Sequence, residues 1–416
     1  MKKTLALVGL LNAVLAAPAM ANEGAVPTGI NPLDHVYVIM MENHGYSQII
    51  GNPNAPYTNQ LAASGNLATN YFAIAHPSLT NYLEVVGGSN FGVHSDHYPD
   101  WHNAACQTNL ATGVANTDSP STGLVCPISG TGTDAATPAV DTTDETQGLP
   151  GLNNIDGVKS IPAASKISGK TIADQMVKAR MTWKSYQESL PVEGADTVNI
   201  SDGFYTNNTD FSKILPALNP PLTSSGIVAL YAVKHNPFAY FKNIQEGMNP
   251  RLSLNQTVGF EGENGLFADL ANGKAANFSF IAPNQCNDQH GRGNAGPFCN
   301  YDPLSDGSQA GLNPALIQRG DETIKRLVTS IQSSAAWNRS TNSAIVIMWD
   351  ENDYSTAPNT NQVPVIVLTK TGSKGMQSNT YYNHFSLLKS IESGLGLPCL
   401  NHACDADVQV MSDLFN

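Results

Sequence analysis

The sequence has few positive charges, and apart from its first residues it has no long apolar run. It contains 21 Lys and Arg against 34 Asp and Glu, which gives a formal net charge of −13. Nucleic acid is not an expected partner, because its recognition needs a clustered basic face. After residue 21 no segment approaches the length of a transmembrane helix. An anionic substrate would therefore need positive charge placed locally, such as a metal ion.

The N terminus has the pattern of a secretory signal peptide. Met1-Lys2-Lys3 is basic, residues 5–16 are apolar, and Ala19-Met20-Ala21 has the small residues of a cleavage site. We expect a protein secreted or exported to the periplasm. Residues 22–416 are predicted to form a single catalytic domain, with a Gly/Ala/Thr-rich insertion at about 104–165.

The chain has no C-x2-C pair, which argues against a zinc–cysteine cluster. An even number of cysteines in an exported chain instead suggests disulfides. The simplest pairing joins neighbours in the sequence: Cys106–Cys126, Cys286–Cys299 and Cys399–Cys404.

Continuous apolar runs, typical of buried strands, are interspersed along the chain with segments that have helical periodicity. Buried strands are predicted at 36–41, 278–282, 344–349 and 363–369, and helices at 79–86, 171–180, 313–336 and 382–395. This alternation is typical of an α/β sandwich with a mostly parallel central sheet.

Polar clusters follow three of these strands. They are Glu42-Asn43, Asp288 with His290, and Asp350-Glu351. In open α/β sheets ligands bind outside the carboxyl ends of the strands. Acidic side chains gathered at one edge repel each other, so a cation is expected there. Oxygen ligands with one or two imidazoles suit zinc, manganese, magnesium or calcium.

Ser78 lies where a predicted helix begins, in the segment AHPSLTNYLEVVGG at residues 75–88. An ordinary N-cap is one explanation for a serine there. The other is a nucleophile, activated by a base or a metal. No G-x-S-x-G elbow surrounds it, so a lipase-type triad is not supported.

Six segments, in order from about residue 34 to the C terminus, resemble the bacterial phosphoesterase family of secreted acid phosphatases and phospholipases C, within the alkaline-phosphatase-like superfamily. They are MENHGYSQI, HPSLTNYLEVVGG, FIAPNQCNDQH, MWDEND, VPVIVLT and YYNHFSLLKSIESGLGLP. The resemblance implies a three-layer α/β sandwich. The chain departs from the family pattern at Thr80, where proline is frequent, and at Gly291, where an acidic residue is usual.

The resemblance also implies roles for individual residues. Glu42, Asn43, Asp350 and Glu351 would bind a metal, and Ser78 would be both nucleophile and metal ligand. Asn81 matches the asparagine of the nucleophile segment. His290 and His384, with Asp288, would hold a second metal or bind the phosphate and leaving group. Zinc is the metal expected on family grounds, with calcium, magnesium or manganese as alternatives.

The remaining histidines give weaker signals. His76 precedes Pro77 and could line the pocket, while HSDHYPDWH at residues 94–102 could bind an extra metal or be a solvated loop. His35, His44, His235 and His402 have no functional indication.

The function expected is metal-dependent hydrolysis of a phosphoric ester through a phosphoserine intermediate. Phospholipase C is favoured slightly over acid phosphatase, with transient contact to a membrane surface. A lipid substrate needs an apolar lip, for which the candidates are Phe204-Tyr205, Phe238 and Tyr240-Phe241. A sulfatase would need a C-x-P-x-R motif, which is absent. A non-catalytic surface-binding protein is disfavoured because the candidate nucleophile and metal ligands are all present.

Overall fold

The computed structural model describes residues 23–93, 167–190, 231–291, 314–352 and 360–416. The predicted signal peptide, the insertion at 104–165 and the histidine-rich segment at 94–102 lie outside these ranges. Ten strands occur in the described part: β1 His35–Met41, β2 Asn66–Ala68, β3 Tyr71–Phe72, β4 Trp183–Gln187, β5 Thr257–Val258, β6 Phe278–Ala282, β7 Ser343–Trp349, β8 Val365–Thr369, β9 Gln377–Ser378 and β10 Tyr382–Asn383.

The α-helices of the same ranges are α1 Tyr46–Ile49, α2 Pro56–Ser64, α3 Ser78–Gly87, α4 Ile172–Lys178, α5 Lys242–Glu246, α6 Leu266–Asn272, α7 Pro314–Ser333, α8 Ala335–Arg339, α9 His384–Leu395 and α10 Ser412–Phe415. None of them is long and apolar enough to cross a membrane.

A mostly parallel eight-stranded sheet forms the centre, in the order β5-β4-β6-β1-β7-β8-β2-β9. β1 pairs in parallel with both β6 and β7, whereas β8 runs antiparallel to β7 and to β2. Residues 36–41 of β1 are all fully buried. A strand buried on both faces needs a layer on each side. The helices accordingly form two groups: α3 packs on α4 and α9, while α7 packs on α2, α6 and α8. The predicted α/β class is confirmed.

Three differences from the sequence prediction have a clear local cause. The helix expected at 313–336 is divided at Ser334, whose hydroxyl accepts a hydrogen bond from Trp337 N at 3.1 Å and begins α8. The strand expected from 363 begins at Val365, because Pro364 has no N–H for the ladder. Residues 382–383 form β10, and the Asn383 side chain caps α9. The predicted Thr171/Asp174 capping box is confirmed at the start of α4.

Candidate active site

The three predicted polar clusters lie at one edge of the sheet, because β6, β1 and β7 are neighbours. Two backbone hydrogen bonds continue the pairing beyond the strands. Glu42 N donates to Asp288 O at 2.9 Å, and Asp350 N donates to Met41 O at 3.1 Å. The side chains of Glu42, Asp288, Asp350 and Glu351 are all buried. The sheet thus concentrates acidic groups in a region shielded from water.

Ser78 points into this acidic region. It is the first residue of α3, and Pro77 occupies the N-cap position. Its hydroxyl donates to Glu42 Oε2 at 3.0 Å and lies 3.3 Å from Glu351 Oε1. The Ser78 side chain therefore contacts carboxylates from two strand ends, and it does not act as the cap of the helix.

Asn81 connects the start of α3 to Glu351. Its side-chain carbonyl accepts from Ile74 N and Ala75 N at 3.2 and 3.0 Å. This fixes the amide group, so that Nδ2 donates to Glu351 Oε2 at 3.1 Å. His76 Nδ1 lies 2.9 Å from the same carboxylate oxygen. Glu351 is thus positioned from two sides of the Ser78 segment.

Two residues that the sequence analysis did not single out as functional belong to the site. His235 Nε2 lies 2.8 Å from Glu42 Oε1, and Nδ1 lies 3.4 Å from Asp288 Oδ2. The His235 ring stacks on Tyr82 of α3 with centroids 5.2 Å apart. Lys234 Nζ donates to Ser78 Oγ at 3.2 Å. The only sequence signal was a polar Lys-His-Asn run between apolar residues, 231–233 and 237–241.

The two histidines predicted from the resemblance differ in their surroundings. His384 Nε2 lies 2.8 Å from Asp350 O, which can only accept, so this nitrogen carries the proton; Nδ1 then accepts from Tyr71 OH at 3.0 Å. His290 is mostly shielded from water, and its Nδ1 donates to Gly291 O at 2.8 Å, which leaves Nε2 as its basic nitrogen. Burial lowers the pKa of each imidazole to about 4. Both rings are therefore neutral near pH 7.

The buried acids differ in their preference for a charge. Burial alone would raise the pKa of the Glu42 carboxyl, but neighbouring His235 and Lys234 outweigh it and hold the pKa below its usual range. Burial, with the charge of Glu42 added, raises the pKa of Asp288 well above normal. Burial and the charges of Glu42 and Glu351 do the same for Asp350. Lys234 opposes the rise in the Asp350 pKa but does not outweigh burial and the two negative charges, whereas at Glu42 the positive neighbours prevail.

The donor chemistry at this edge fits a divalent cation. Both carboxylate oxygens of Asp350 are buried, with no hydrogen-bond partner among the described residues. Hard cations bind carboxylate and hydroxyl oxygens, and Glu42, Glu351 and Ser78 supply more of them. Asn43 follows Glu42 and is partly exposed. Within the described ranges, however, no group of three or more His, Cys, Asp or Glu side chains is gathered so that it could hold a metal ion.

Other predicted features have mixed outcomes. The Cys399–Cys404 disulfide is confirmed. Cys286 is disulfide-bonded, but Cys299, Cys106 and Cys126 lie outside the described residues. Phe238, Tyr240 and Phe241 are fully buried, so they pack in the core and do not form the suggested apolar lip. Phe204 and Tyr205 also lie outside the described ranges.

The comparisons with known proteins identify the family of the chain. The Phosphoesterase family model matches residues 52–297 and 309–398, and the chain belongs to the Phosphoesterase family. A relative named phosphatidylinositol-3-phosphatase, from Mycobacterium tuberculosis, is 23% identical over 408 residues, 97% of this chain and 92% of that protein. An acid phosphatase of Aspergillus fumigatus is 22% identical and covers 89% of this chain, which spans only 57% of that relative's length.

Among solved structures, a protein in the alkaline phosphatase superfamily from Vibrio parahaemolyticus is similar, with a TM-score of 0.41 and 11% sequence identity. The similarity covers 89% of this chain and 68% of the Vibrio chain. The predicted family is confirmed by the family match. The chain is accordingly a phosphoric ester hydrolase, and its substrates are phosphate esters. Proteins of this family are generally metal-dependent.

Proposed function

We propose that this protein is an exported, metal-dependent phosphomonoesterase of the acid phosphatase type, with Ser78 as its nucleophile. The observation that carries the proposal is the Ser78 hydroxyl, 1% exposed, in contact with two carboxylates and an ammonium group. A serine kept only for helix capping has no need of these contacts. The exported location rests on the N-terminal pattern of residues 1–21.

The first half-reaction transfers the phosphoryl group to Ser78. The Ser78 Oγ–P bond forms as the bond between phosphorus and the leaving oxygen breaks. The serine proton moves along the hydrogen bond to Glu42 Oε2, 3.0 Å away, and is passed on to the leaving oxygen, so that Glu42 ends the step as a carboxylate. In the second half-reaction water attacks phosphorus as the Oγ–P bond breaks, and one proton of that water returns through Glu42 to Oγ.

Glu42, Asp350, Glu351 and Ser78 would hold the metal, with Asn43 beside them, and zinc is our choice. When bound, the metal would lower the pKa of the hydroxyl and neutralise charge on the phosphoryl oxygens. Asn81 keeps Glu351 in place. The neutral His384 fixes the Asp350 backbone, and the unprotonated His290 Nε2 can accept a hydrogen bond from the leaving alcohol.

A phosphomonoesterase is favoured over phospholipase C for two reasons. Phe238, Tyr240 and Phe241 are buried, so they offer no surface to a diacylglycerol. The relatives above carry phosphatase names, and one of these names a phosphoinositide, whose 3-phosphate is a monoester. The substrate class therefore extends from soluble monoesters to phosphorylated lipid head groups.

The test is to supply p-nitrophenyl phosphate, phosphatidylinositol 3-phosphate and phosphatidylcholine separately and to identify the product by ³¹P NMR. We expect inorganic phosphate from the first two and no phosphocholine from the third. Phosphocholine as the main product would instead establish a phospholipase C.

Ser78→Ala tests the nucleophile in the same assay. We expect kcat to fall by a factor on the order of 10³, with Ser78→Thr retaining measurable turnover. A phosphoserine at residue 78 should be trapped by acid quench in the wild type. The matched control is Ser334→Ala, which removes a true helix cap; it should cost about 1 kcal/mol of stability and leave kcat unchanged. A folded Ser78→Ala enzyme with normal turnover would disprove the mechanism.

A further inference from the structure

A buried lysine contacts the hydroxyl proposed to attack phosphorus. Lys234 is 4% exposed, and its Nζ lies 3.2 Å from Ser78 Oγ. Removing an ammonium group from water is costly unless nearby charges compensate it. Here the compensation comes from the acids around Ser78, since the charge of Lys234 favours ionisation of Glu42, Asp288 and Asp350.

The backbone that presents Lys234 is fixed to the sheet. Residues Val233–His235 form a 3₁₀ turn that packs against α3. From β4, Gln187 Nε2 donates to His235 O at 3.0 Å, and Ser185 Oγ donates to Asn236 Oδ1 at 2.9 Å. His235 itself lies between Glu42 and Asp288. The ammonium group is therefore positioned by β4 and α3 together, and it does not reach the site from a surface loop.

Of the two imidazoles expected to bind a second metal, one has protein partners at both ring nitrogens and the other at one. Both ring nitrogens of His384 are bonded, to Asp350 O and Tyr71 OH. His290 uses Nδ1 toward Gly291 O, and Gly291 stands where the family usually has an acidic residue. A second positive charge at this site is thus supplied more readily by Lys234 than by another ion.

We propose that Lys234 is a catalytic residue whose ammonium group is a permanent cation beside Ser78 Oγ, in the role that a second metal ion would otherwise have. This inference rests on the proposed function of Ser78. The ammonium group stabilises the serine oxygen as it loses its proton, and it stabilises the phosphoryl oxygens as charge shifts onto them. Lys234 keeps its own protons throughout, and no bond to it forms or breaks.

The test combines kinetics with a metal-binding measurement on the whole enzyme. Lys234→Met keeps the length of the side chain and removes its charge, whereas Lys234→Arg keeps the charge. With p-nitrophenyl phosphate we expect Lys234→Met to lower kcat by a factor on the order of 10², the cost of losing one preorganised electrostatic contact. We expect Lys234→Arg to recover part of this loss.

The metal affinity of Lys234→Met should not fall together with its kcat. Removing one positive charge leaves the carboxylates more negative, so Lys234→Met should bind Zn²⁺ at least as tightly as the wild type in a competition titration with a chelating dye. Tighter metal binding together with slower turnover is not expected of a purely structural lysine. If Lys234→Met does not fold, Lys234→Gln is measured in the same way.

Lys184→Met is the matched control, because Lys184 is a partly buried lysine paired with Asp269 outside the site. It should keep the wild-type kcat and metal affinity. An unchanged kcat in Lys234→Met would overturn the proposal, as would parallel losses of kcat, metal affinity and melting temperature. With either result, Ser78 remains the proposed nucleophile as long as the wild type still forms phosphoserine. Absence of phosphoserine in the wild type would instead overturn the proposed function of Ser78.

Discussion

At the scale of single residues, Asp350 shows most directly what the site needs. Its carboxyl group is fully buried, and neither oxygen has a hydrogen-bond partner among the described residues. Glu42 and Glu351 add repulsion, and burial with these charges raises the pKa of Asp350. Leaving a buried polar group unsatisfied costs about 1–3 kcal/mol. A group this costly persists in a fold when a ligand compensates it.

We therefore predict that Asp350→Asn loses bound metal and most activity while remaining folded. The amide has nearly the same shape but no charge, so the metal-free variant should melt at or above the temperature of the metal-free wild type. Metal content is measured by inductively coupled plasma mass spectrometry, and folding by circular dichroism. Full retention of the metal in Asp350→Asn would contradict Asp350 as a ligand.

Asp321→Asn is the control for this prediction. Asp321 is another buried carboxylate, on α7, and it accepts hydrogen bonds from the backbone of Tyr57 and from Thr58 at the start of α2. Its replacement should lower the melting temperature but leave metal content unchanged. The two variants together separate a metal ligand from a buried acid with a structural role.

The same scale shows how far the sequence predicts the site. Glu42, Ser78 and Asp350 could be found because each follows or begins an element with a clear apolar pattern. Lys234 and His235 could not, because they lie in a short turn without periodicity. Their importance arises only when that turn packs between α3 and β4, which brings Lys234 to Ser78 across a long stretch of chain. His384 was predicted from the resemblance, but its hydrogen bonds to Asp350 O and Tyr71 OH required the structure.

At the scale of elements, the helix α9 carries a second buried acid, outside the site. Both carboxylate oxygens of Glu392 are buried without a hydrogen-bond partner among the described residues. Burial raises the pKa of Glu392 well above its usual range. An acid with a raised pKa in the folded state contributes stability below its unfolded pKa, and this stability is lost as the pH rises.

Glu392→Gln should remove the pH dependence of folding stability that Glu392 causes. We predict that the variant and the wild type have similar stability near pH 4, and that the variant becomes more stable near pH 8, by an amount on the order of 1–3 kcal/mol, as expected for a buried group without a partner. Urea unfolding at several pH values measures the difference. Glu322→Gln, on the exposed side of α7, should show no such trend; an equal trend in both variants would rule out burial as the cause.

The order and type of the major elements were predictable because the buried strands are continuous apolar runs. β6 has the predicted bounds, 278–282, and β1 and β7 differ by one residue at the start. The errors arise where a local hydrogen bond or a missing donor decides the boundary. Ser334 divides one long periodic segment into α7 and α8, and Pro364 delays the start of β8. Short strands such as β3 and β10 form only when tertiary contacts bring them together.

At the scale of the whole molecule, the sheet gathers acids in a chain whose formal net charge is already −13. Burial raises the pKa of Asp288 and Asp350. Without a cation, these two carboxyl groups therefore bind more protons in the folded than in the unfolded state above the ordinary pKa of aspartate. By linkage, their contribution to the stability of the metal-free protein falls as the pH rises.

A divalent cation should reverse this dependence, because it binds the deprotonated carboxylates and competes with protons. We predict that added zinc raises the melting temperature only slightly near pH 5 and markedly near pH 8. At a free metal concentration of about 100 times the dissociation constant, the stabilisation is about 2.7 kcal/mol. Differential scanning calorimetry with chelator or with zinc measures the increment at each pH. The increment should vanish in Asp350→Asn and persist in Asp321→Asn. An increment of equal size near pH 5 and near pH 8, or one that survives Asp350→Asn, would place the metal away from these buried acids.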